Sequence, residues 1–411
     1  MAKPRALLPR HLRPVLRTAL ADTRVVFLGG PRQSGKSTLA ATLLPRVAYR
    51  SLDDAGTLAA ADSDPQSFLE GLPRRAVIDE IQRVPKLLLA IKAAVDRDRQ
   101  RRILLTGSAD VFVLPGVSES LAGRIEIHTL WPFAQSEIER NAGRFVDEIF
   151  AKQVPHVHMT EPRKAVIERI IRGGYPEALL RSGARRTAWY ESYVTSIVLR
   201  EIRDISSIQS VTDLPRILRL LAARTSSILN VSEVSRAAGI AHTTLTRYLA
   251  LLEATYLFWR LPAWSGNLGK RLLAHPKIVV TDCGVAAALQ GIDASRLVAD
   301  EHLAGPIFET FVAGELLKLS GWSQVRPSLF HFRSVAGDEV DLLLERRDGS
   351  VVGIEVKAGA NVNNRDFRGL RVLAEGLGDK FRRGIVLYTG AHVLSFGPDL
   401  LAMPIGALWL R

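Results

Sequence analysis

The residues with the clearest chemical purpose lie in the stretch 30–38. Gly30, Pro31, Arg32, Gln33, Ser34, Gly35, Lys36, Ser37 and Thr38 fit the spacing G-x4-G-K-[ST]. Glycines at the two ends let backbone N–H groups turn inward on phosphate oxygens. Lys36 then reaches the β- and γ-phosphates of a nucleotide, and the Ser37 hydroxyl is a ligand for Mg2+. This chemistry needs a strand before the loop and a helix after it, so that the positive helix end faces the anion. The apolar run at 25–28 supplies the strand, and TLAATLL continues as the helix. A nucleotide site that hydrolyses needs a second, acidic centre. The apolar residues 76–78 run into Asp79 and Glu80. Asp79 is expected to hold the Mg2+, and Glu80 to orient and deprotonate the attacking water. A further strand, RRILLTGS, carries Thr106 and Ser108 at its carboxyl end, where ligands bind in open parallel sheets. One of the two is expected to sense the γ-phosphate. Strands and helices alternate over residues 1–135, which predicts a parallel α/β sheet.

A second group of charged residues lies within apolar strands, where charge needs a reason. VDLLLE and VGIEVKA flank Asp348-Gly349, a strong hairpin turn signal. Asp341 lies near the start of one strand, and Glu355 and Lys357 near the end of the other. The hairpin brings these ends together, and Glu355 and Lys357 share a face. Two carboxylates and an ammonium on paired strands are the constellation of the metal-dependent PD-(D/E)xK nuclease core. There the acids hold Mg2+ and the lysine activates water or stabilises phosphorane charge. The alternative is a salt-bridged, inert relic.

Between these regions, LNVSEVSRAAGIAHTTLTRYLALLEATYLFWRL has helix-turn-helix grammar. Ser232 is expected to cap the first helix, and Gly239 to make the turn with Ile240 packed beneath. In the second helix Leu245, Tyr248, Leu249 and Leu252 share one face. His242, Thr243, Thr244, Thr246 and Arg247 are left outward or near its start, where a recognition helix meets base edges. YLFWRLP and KIVVTD are expected as the wing. Arg247 is the only basic residue on that helix, so DNA contact and a bracing role both stand.

Taken together, the P-loop, VIDE, LLTGS and SLAGR resemble the AAA-type module of a widespread family of prokaryotic ATPases. In that family the module precedes a nuclease-like C-terminal domain of unknown function. The resemblance spans nearly the whole chain. It implies that Arg124, at a helix end before IEIHTL, is a finger arginine acting in trans in a homo-oligomer; the simpler role is to complement the helix dipole. It likens Gly174-Tyr175-Pro176 to the signature of a helical lid near the nucleotide base, against a plain interhelical turn. Glu309 matches the helix glutamate of Holliday-junction-resolvase-like nucleases and so joins Asp341 and Glu355 as a metal ligand, with Glu315 as the alternative. REIRDI also matches, and its Arg203 and Asp204 are read as a salt-bridged helix face. Asp282 is read as a helix cap.

The expected fold class is α/β: a P-loop sheet with helical lid, a winged helix-turn-helix and a restriction-endonuclease-like α/β domain. On this reading the 411 residues divide into an ATPase core (1–138), linker and lid (139–225), winged helix (226–282) and nuclease-like domain (283–411). A net charge of +13 points to an acidic partner, nucleic acid before membrane, or to a generally basic surface. One cysteine, Cys283, excludes a disulfide framework and fits a cytoplasmic location. No apolar run is long enough for a membrane span. The N-terminal segment lacks acidic residues, as transit peptides do, but reads more simply as an amphipathic helix. His156 and His158 have no ligand partners in the sequence and are read as structural or solvated. The expected function is Mg2+-dependent ATP hydrolysis coupled to DNA binding or processing. The rival is an ATP-dependent switch acting on protein partners, with an inactive nuclease-like domain.

Overall fold

Five short apolar segments form the N-terminal sheet: β1 (Val25–Gly29), β2 (Ala48–Ser51), β3 (Arg75–Asp79), β4 (Arg102–Gly107) and β5 (Ile125–Thr129). All pairings are parallel, in the order β2-β3-β4-β1-β5. Every residue of β1 is buried, as expected of a central parallel strand covered on both faces. Side chains alternate between two cores. Val25, Phe27, Ile78, Ile103 and Leu105 face Leu87, Ile91 and Val95 of the helix Leu87–Arg97. Val26, Leu28, Val77 and Leu104 face Leu12, Leu16 and Leu20 of the helix Leu12–Asp22, and Leu39 and Leu43 of the helix Lys36–Leu43. Each such buried side chain contributes roughly 1.5–3 kcal/mol, so the two layers fix the register that sets the loops at the carboxyl edge. β2, an edge strand, was not anticipated from the sequence; its four residues are only half-buried or exposed and carry little apolar signal.

The computed structural model describes residues 7–44, 47–108, 121–153, 157–197, 213–267, 269, 271, 274–334 and 336–410. Arg203 and Asp204 with their REIRDI stretch, His156, and residues 117–120 ahead of Arg124 lie outside them. The chain divides into two units, Arg10–Pro132 with Ala250–Leu257, and chiefly Phe133–Leu249 with Phe258–Arg411.

The second unit contains, in chain order, the helix Leu214–Ala222, β6 (Ser227–Ile228), the helix Val231–Ala238, the start of the helix His242–Ala254, β7 (Phe258–Leu261) and β8 (Lys277–Val280). The three strands form an antiparallel sheet ordered β6-β8-β7. The cap of Val231–Ala238 is Asn230, whose side chain accepts from Glu233 N at 3.1 Å. The expectation that Ser232 caps is corrected: the helix begins one residue before it, so its hydroxyl sits inside the first turn. Gly239 ends that helix at φ 66°, in the left-handed region. A mixed six-stranded sheet follows, made of β9 (Ser328–Arg333), β10 (Glu339–Glu345), β11 (Val351–Val356), β12 (Phe381–Tyr388), β13 (Leu394–Gly397) and β14 (Leu400–Pro404). Its order is β13-β14-β12-β11-β10-β9. The helix Arg368–Leu377 covers one face through Leu370 and Leu373. Among the described residues no helix is long and apolar enough to cross a membrane.

Candidate functional site

β1, β3 and β4 end together at the carboxyl edge of the parallel sheet, and the chain leaves β1 for the far edge strand β2. Ligands bind at such a switch point. The loop after β1 needs its glycines: a Cβ on Gly30 would lie 2.3 Å from Leu130 O, and Gly35 adopts φ 98° as it starts the helix Lys36–Leu43. Pro31 and Ser34 are buried, Arg32 is half-buried, and Gln33 and Thr38 are exposed. Gln33 holds φ 60°, turning the loop back on itself. The Lys36 ammonium is buried and donates to Gly30 O at 2.9 Å and Pro31 O at 3.0 Å. Ser34 Oγ is buried with no hydrogen-bond partner among the described residues.

Asp79 closes the site. Its Oδ1 accepts from Ser37 Oγ at 3.1 Å and from Thr106 Oγ1. Its Oδ2 accepts from Ser51 Oγ at 3.5 Å. Tyr49, on β2, also hydrogen-bonds Asp79; burial first, then that carboxylate, raises the phenol above its ordinary range. Glu80 follows at φ 61°, a strained conformation for a non-glycine residue at the end of a strand. Its amide donates to Thr106 Oγ1 at 3.3 Å, and its Oε2 accepts from Gln82 and, at 3.3 Å, from Ser108 Oγ. Gln82 Nε2 also donates to Ser108 Oγ at 2.9 Å. The structure therefore brings Lys36, Ser37, Asp79, Glu80, Thr106 and Ser108 together. Tyr49, Ser51 and Gln82 were missed by sequence reasoning. Gln82, two residues past Glu80, had a detectable signal in the DEIQ turn; Tyr49 and Ser51 had none, because β2 itself was not read.

Arg124 lies at the opposite, amino edge of the sheet, just before β5. Its guanidinium grips Asp96 with Nε–Oδ1 at 2.6 Å and Nη2–Oδ2 at 2.9 Å. Within the chain it lies at the end of the sheet opposite the loop.

In the second unit, Gly174-Tyr175-Pro176 joins two helices. Gly174 N donates to Asp282 Oδ2 at 2.7 Å, and a Cβ at Gly174 would lie 2.3 Å from Phe133 O. Asp282 caps the helix Cys283–Gln290 through Gly284 N and Val285 N, so one carboxylate serves two segments. Leu245, Tyr248, Leu249 and Leu252 are buried, while His242, Thr243, Thr246 and Arg247 are exposed and Thr244 is half-buried.

The hairpin register, Leu342 opposite Ile354, sets Asp341 beside Glu355. Asp341 Oδ2 accepts from Val356 N at 2.9 Å. Burial, then the charge of Asp341 and a hydrogen bond to it, pushes Glu355 well above the usual carboxylate range. Glu309, on the helix Glu301–Ser320, joins them; burial and Asp341 push its carboxyl up to about 8. The cation among them is Lys277 of β8, 2.6 Å from Glu309 Oε1 and 3.8 Å from Asp341 Oδ1. Lys357 Nζ instead faces Asp366 at 3.3 Å. Glu315 lies apart, paired with Lys318 at 2.9 Å and accepting from Gln135 N at 2.8 Å. Among the described residues no three His, Cys, Asp or Glu side chains are grouped to hold a metal ion. Glu309, Asp341 and Glu355, expected as metal ligands, lie near one another, with the Lys277 ammonium against Glu309 and Asp341.

Residues 22–139 match the model of an AAA domain, residues 163–296 a domain of unknown function (DUF8612), and residues 304–408 a domain of unknown function (DUF4143). Uncharacterized proteins of Mycobacterium tuberculosis and Mycobacterium bovis are each 29% identical over 395 residues, covering 95% of this chain and 82% of theirs. Among solved structures, the Walker-type ATPase PABY2304 of Pyrococcus abyssi is similar at 17% identity, with 68% of this chain and 94% of that chain covered and a TM-score of 0.44. A signal transduction ATPase with numerous domains from Pyrococcus horikoshii is 11% identical, covering 77% of this chain and 48% of that one at a TM-score of 0.23. Residues 22–139 thus match an AAA-domain model and carry the parallel five-stranded sheet with the phosphate-loop sequence.

Proposed function

We propose that the chain binds MgATP at Lys36, Ser37 and Asp79 and hydrolyses it, with Glu80 taking the proton of the attacking water. One observation carries the reading: Ser37 Oγ and Asp79 Oδ1 lie 3.1 Å apart beside the loop that holds Lys36. A hydroxyl and a carboxylate so paired are the ligands Mg2+ takes from a P-loop protein, where it neutralises charge on the β- and γ-phosphates. The chain's own groups do the rest. The loop amides orient the phosphates, and Ser34 Oγ is a buried hydroxyl left to bond a phosphate oxygen. Lys36 exchanges two loop carbonyls for phosphate. Gln82 and Ser108 hold the Glu80 carboxylate in place, and Thr106 ties Asp79 to the Glu80 amide.

The segment 226–282 is read as a winged helix, with His242, Thr243, Thr244, Thr246 and Arg247 as the face offered to DNA and with nucleotide state modulating that contact. The test is ATP turnover by the full chain, with and without duplex DNA, beside Lys36→Ala. Turnover that persists in Lys36→Ala rejects the site. Fluorescence anisotropy of labelled duplex that does not fall with added salt rejects the DNA reading.

A further inference from the structure

Lys277 enters the acidic cluster from outside the hairpin that defines it. It opens β8, one strand of the small antiparallel sheet, whereas Asp341 and Glu355 lie on β10 and β11 and Glu309 on a helix. Its side chain is 8% exposed, so the ammonium has been taken out of water, a cost met only by close, geometrically good partners. It has them, with Glu309 Oε1 at 2.6 Å and Asp341 Oδ1 at 3.8 Å. One further oxygen is engaged: Asp341 Oδ2 accepts from Val356 N at 2.9 Å. The lysine of the E-x-K step, Lys357, is paired with Asp366 at 3.3 Å, while its charge also acts on Glu355.

A divalent ion of nuclease type needs carboxylate oxygens at about 2.0–2.1 Å with open positions for water and phosphate. It cannot share that seat with an ammonium 2.6 Å from one of the same oxygens. We propose that Lys277 takes the place of the divalent cation. The Glu309–Asp341–Glu355 cluster is then a metal-independent ionic tie binding β8 and the helix Glu301–Ser320 to the C-terminal sheet, and it does not cut DNA. The cluster keeps the residue pattern of a nuclease while its charge is balanced from within the chain. This inference stands whether or not the P-loop turns over ATP.

The test uses nucleotide-free, full-length protein and Mn2+ as the probe, read by calorimetry and electron paramagnetic resonance. Wild type, Asp341→Asn and Glu309→Gln should bind Mn2+ identically, since any ion near the P-loop is common to all three. Lys277→Ala, which strips the cluster of its cation, should gain a Mn2+ site beyond any that wild type has, and Mn2+ should raise its melting temperature more than it raises that of wild type. The proposal is overturned if wild type binds Mn2+ and Asp341→Asn or Glu309→Gln weakens that binding about tenfold or more, the scale of a lost ligand or its support. It is also overturned if wild type nicks DNA with Mn2+ and Asp341→Asn does not, or if Lys277→Ala folds yet binds no more Mn2+ than wild type. Should Lys277→Ala fail to fold, the comparison of wild type with the two acid variants still decides.

Discussion

Asp282 is the residue whose loss should be felt furthest. Its carboxylate is 3% exposed and accepts four hydrogen bonds: from Gly284 N at 2.9 Å, Val285 N at 3.3 Å, Tyr190 Oη at 3.1 Å and Gly174 N at 2.7 Å. Replacement by alanine removes a helix cap, costing about 1 kcal/mol. It also leaves the Gly174 amide buried without an acceptor, costing about 1–3 kcal/mol. Gly174 cannot swing out to find another, because its Cα is packed against Phe133 O. Tyr190 adds little, since its single hydroxyl proton is shared with Arg172 O, 2.9 Å away. The total is roughly 2–4 kcal/mol, all of it local to two segments. Amide hydrogen exchange read by mass spectrometry fits this, because it needs no single global transition in a two-unit protein. At 1.4 kcal/mol per factor of ten, peptides covering 173–176 and 283–287 should exchange about 30- to 700-fold faster in Asp282→Ala. Peptides of β4 should be unchanged. Asp282→Asn, which keeps a capping oxygen, should fall between. If exchange at 173–176 in Asp282→Ala stayed within about threefold of wild type, the claim that this carboxylate holds the GGYP turn would be wrong, since a lost bond costs at least about 1 kcal/mol.

Other outcomes follow from the same geometry. Glu80→Gln should keep ATP affinity, measured by calorimetry, while turnover falls roughly 10^2- to 10^4-fold, the usual worth of a positioned general base; equal turnover would remove Glu80 from the chemistry. Arg124→Ala should leave stability nearly unchanged, because its pair with Asp96 is surface-exposed. If the arginine acts in trans, turnover should nonetheless drop, and mixing Arg124→Ala with Lys36→Ala subunits should restore part of it; absence of any rescue argues for the ion pair alone. His331 gives a pH prediction. Burial, then the charge of Lys277, lowers its pKa from 6.5 to about 4. The unfolded chain therefore binds the extra proton first, and stability is lost as pH falls from about 6.5 to about 4, up to about 3 kcal/mol. Glu309, raised from 4.5 to about 8, acts with the opposite sign, losing stability as pH rises through that window. Subtracting wild type from His331→Gln cancels the Glu309 contribution, so the difference in urea midpoint should shrink the acid-side loss; parallel curves would show that His331 is not buried as a neutral ring.

What could be read from the sequence sorts by how local the cause is. The P-loop was readable because strand, glycine spacing, lysine and helix lie within one short run, and each demands the next. Asp79 and Glu80 were readable because an apolar strand ends in them. Leu245, Tyr248, Leu249 and Leu252 were readable from helical period alone. The cap of the helix Val231–Ala238 was placed two residues late because Asn230 and Ser232 are both good caps, and only backbone geometry separates them. Tyr49 and Ser51 were invisible because β2 is an edge strand with weak apolar signal. Asp282 was read as a cap, which it is, but its second role depends on Gly174, more than a hundred residues earlier.

Lys277 shows why spacing alone overreaches at the C-terminal hairpin. The step from Glu355 to Lys357 and the register of Asp341 opposite Glu355 are properties of two paired strands, and the turn at Asp348-Gly349 is enough to specify them. What those charges balance is a property of everything else packed against the strands. In KIVVTD the lysine is only the first residue of an expected wing strand. Only the packing of the helix Glu301–Ser320, which carries Glu309 to within 2.6 Å of it, turns that lysine into the counter-charge of the cluster. A buried acid needs a cation, and a hairpin motif does not say whether the cation is an ion from solution or a side chain from another element. The P-loop is different in kind: its ligand is a solution anion, and the loop's own amides, Ser34 Oγ and Lys36 are donors that all come from one local segment. One site is built by neighbours in sequence and the other by neighbours in space, so a short motif specifies the first and leaves the counter-charge of the second open.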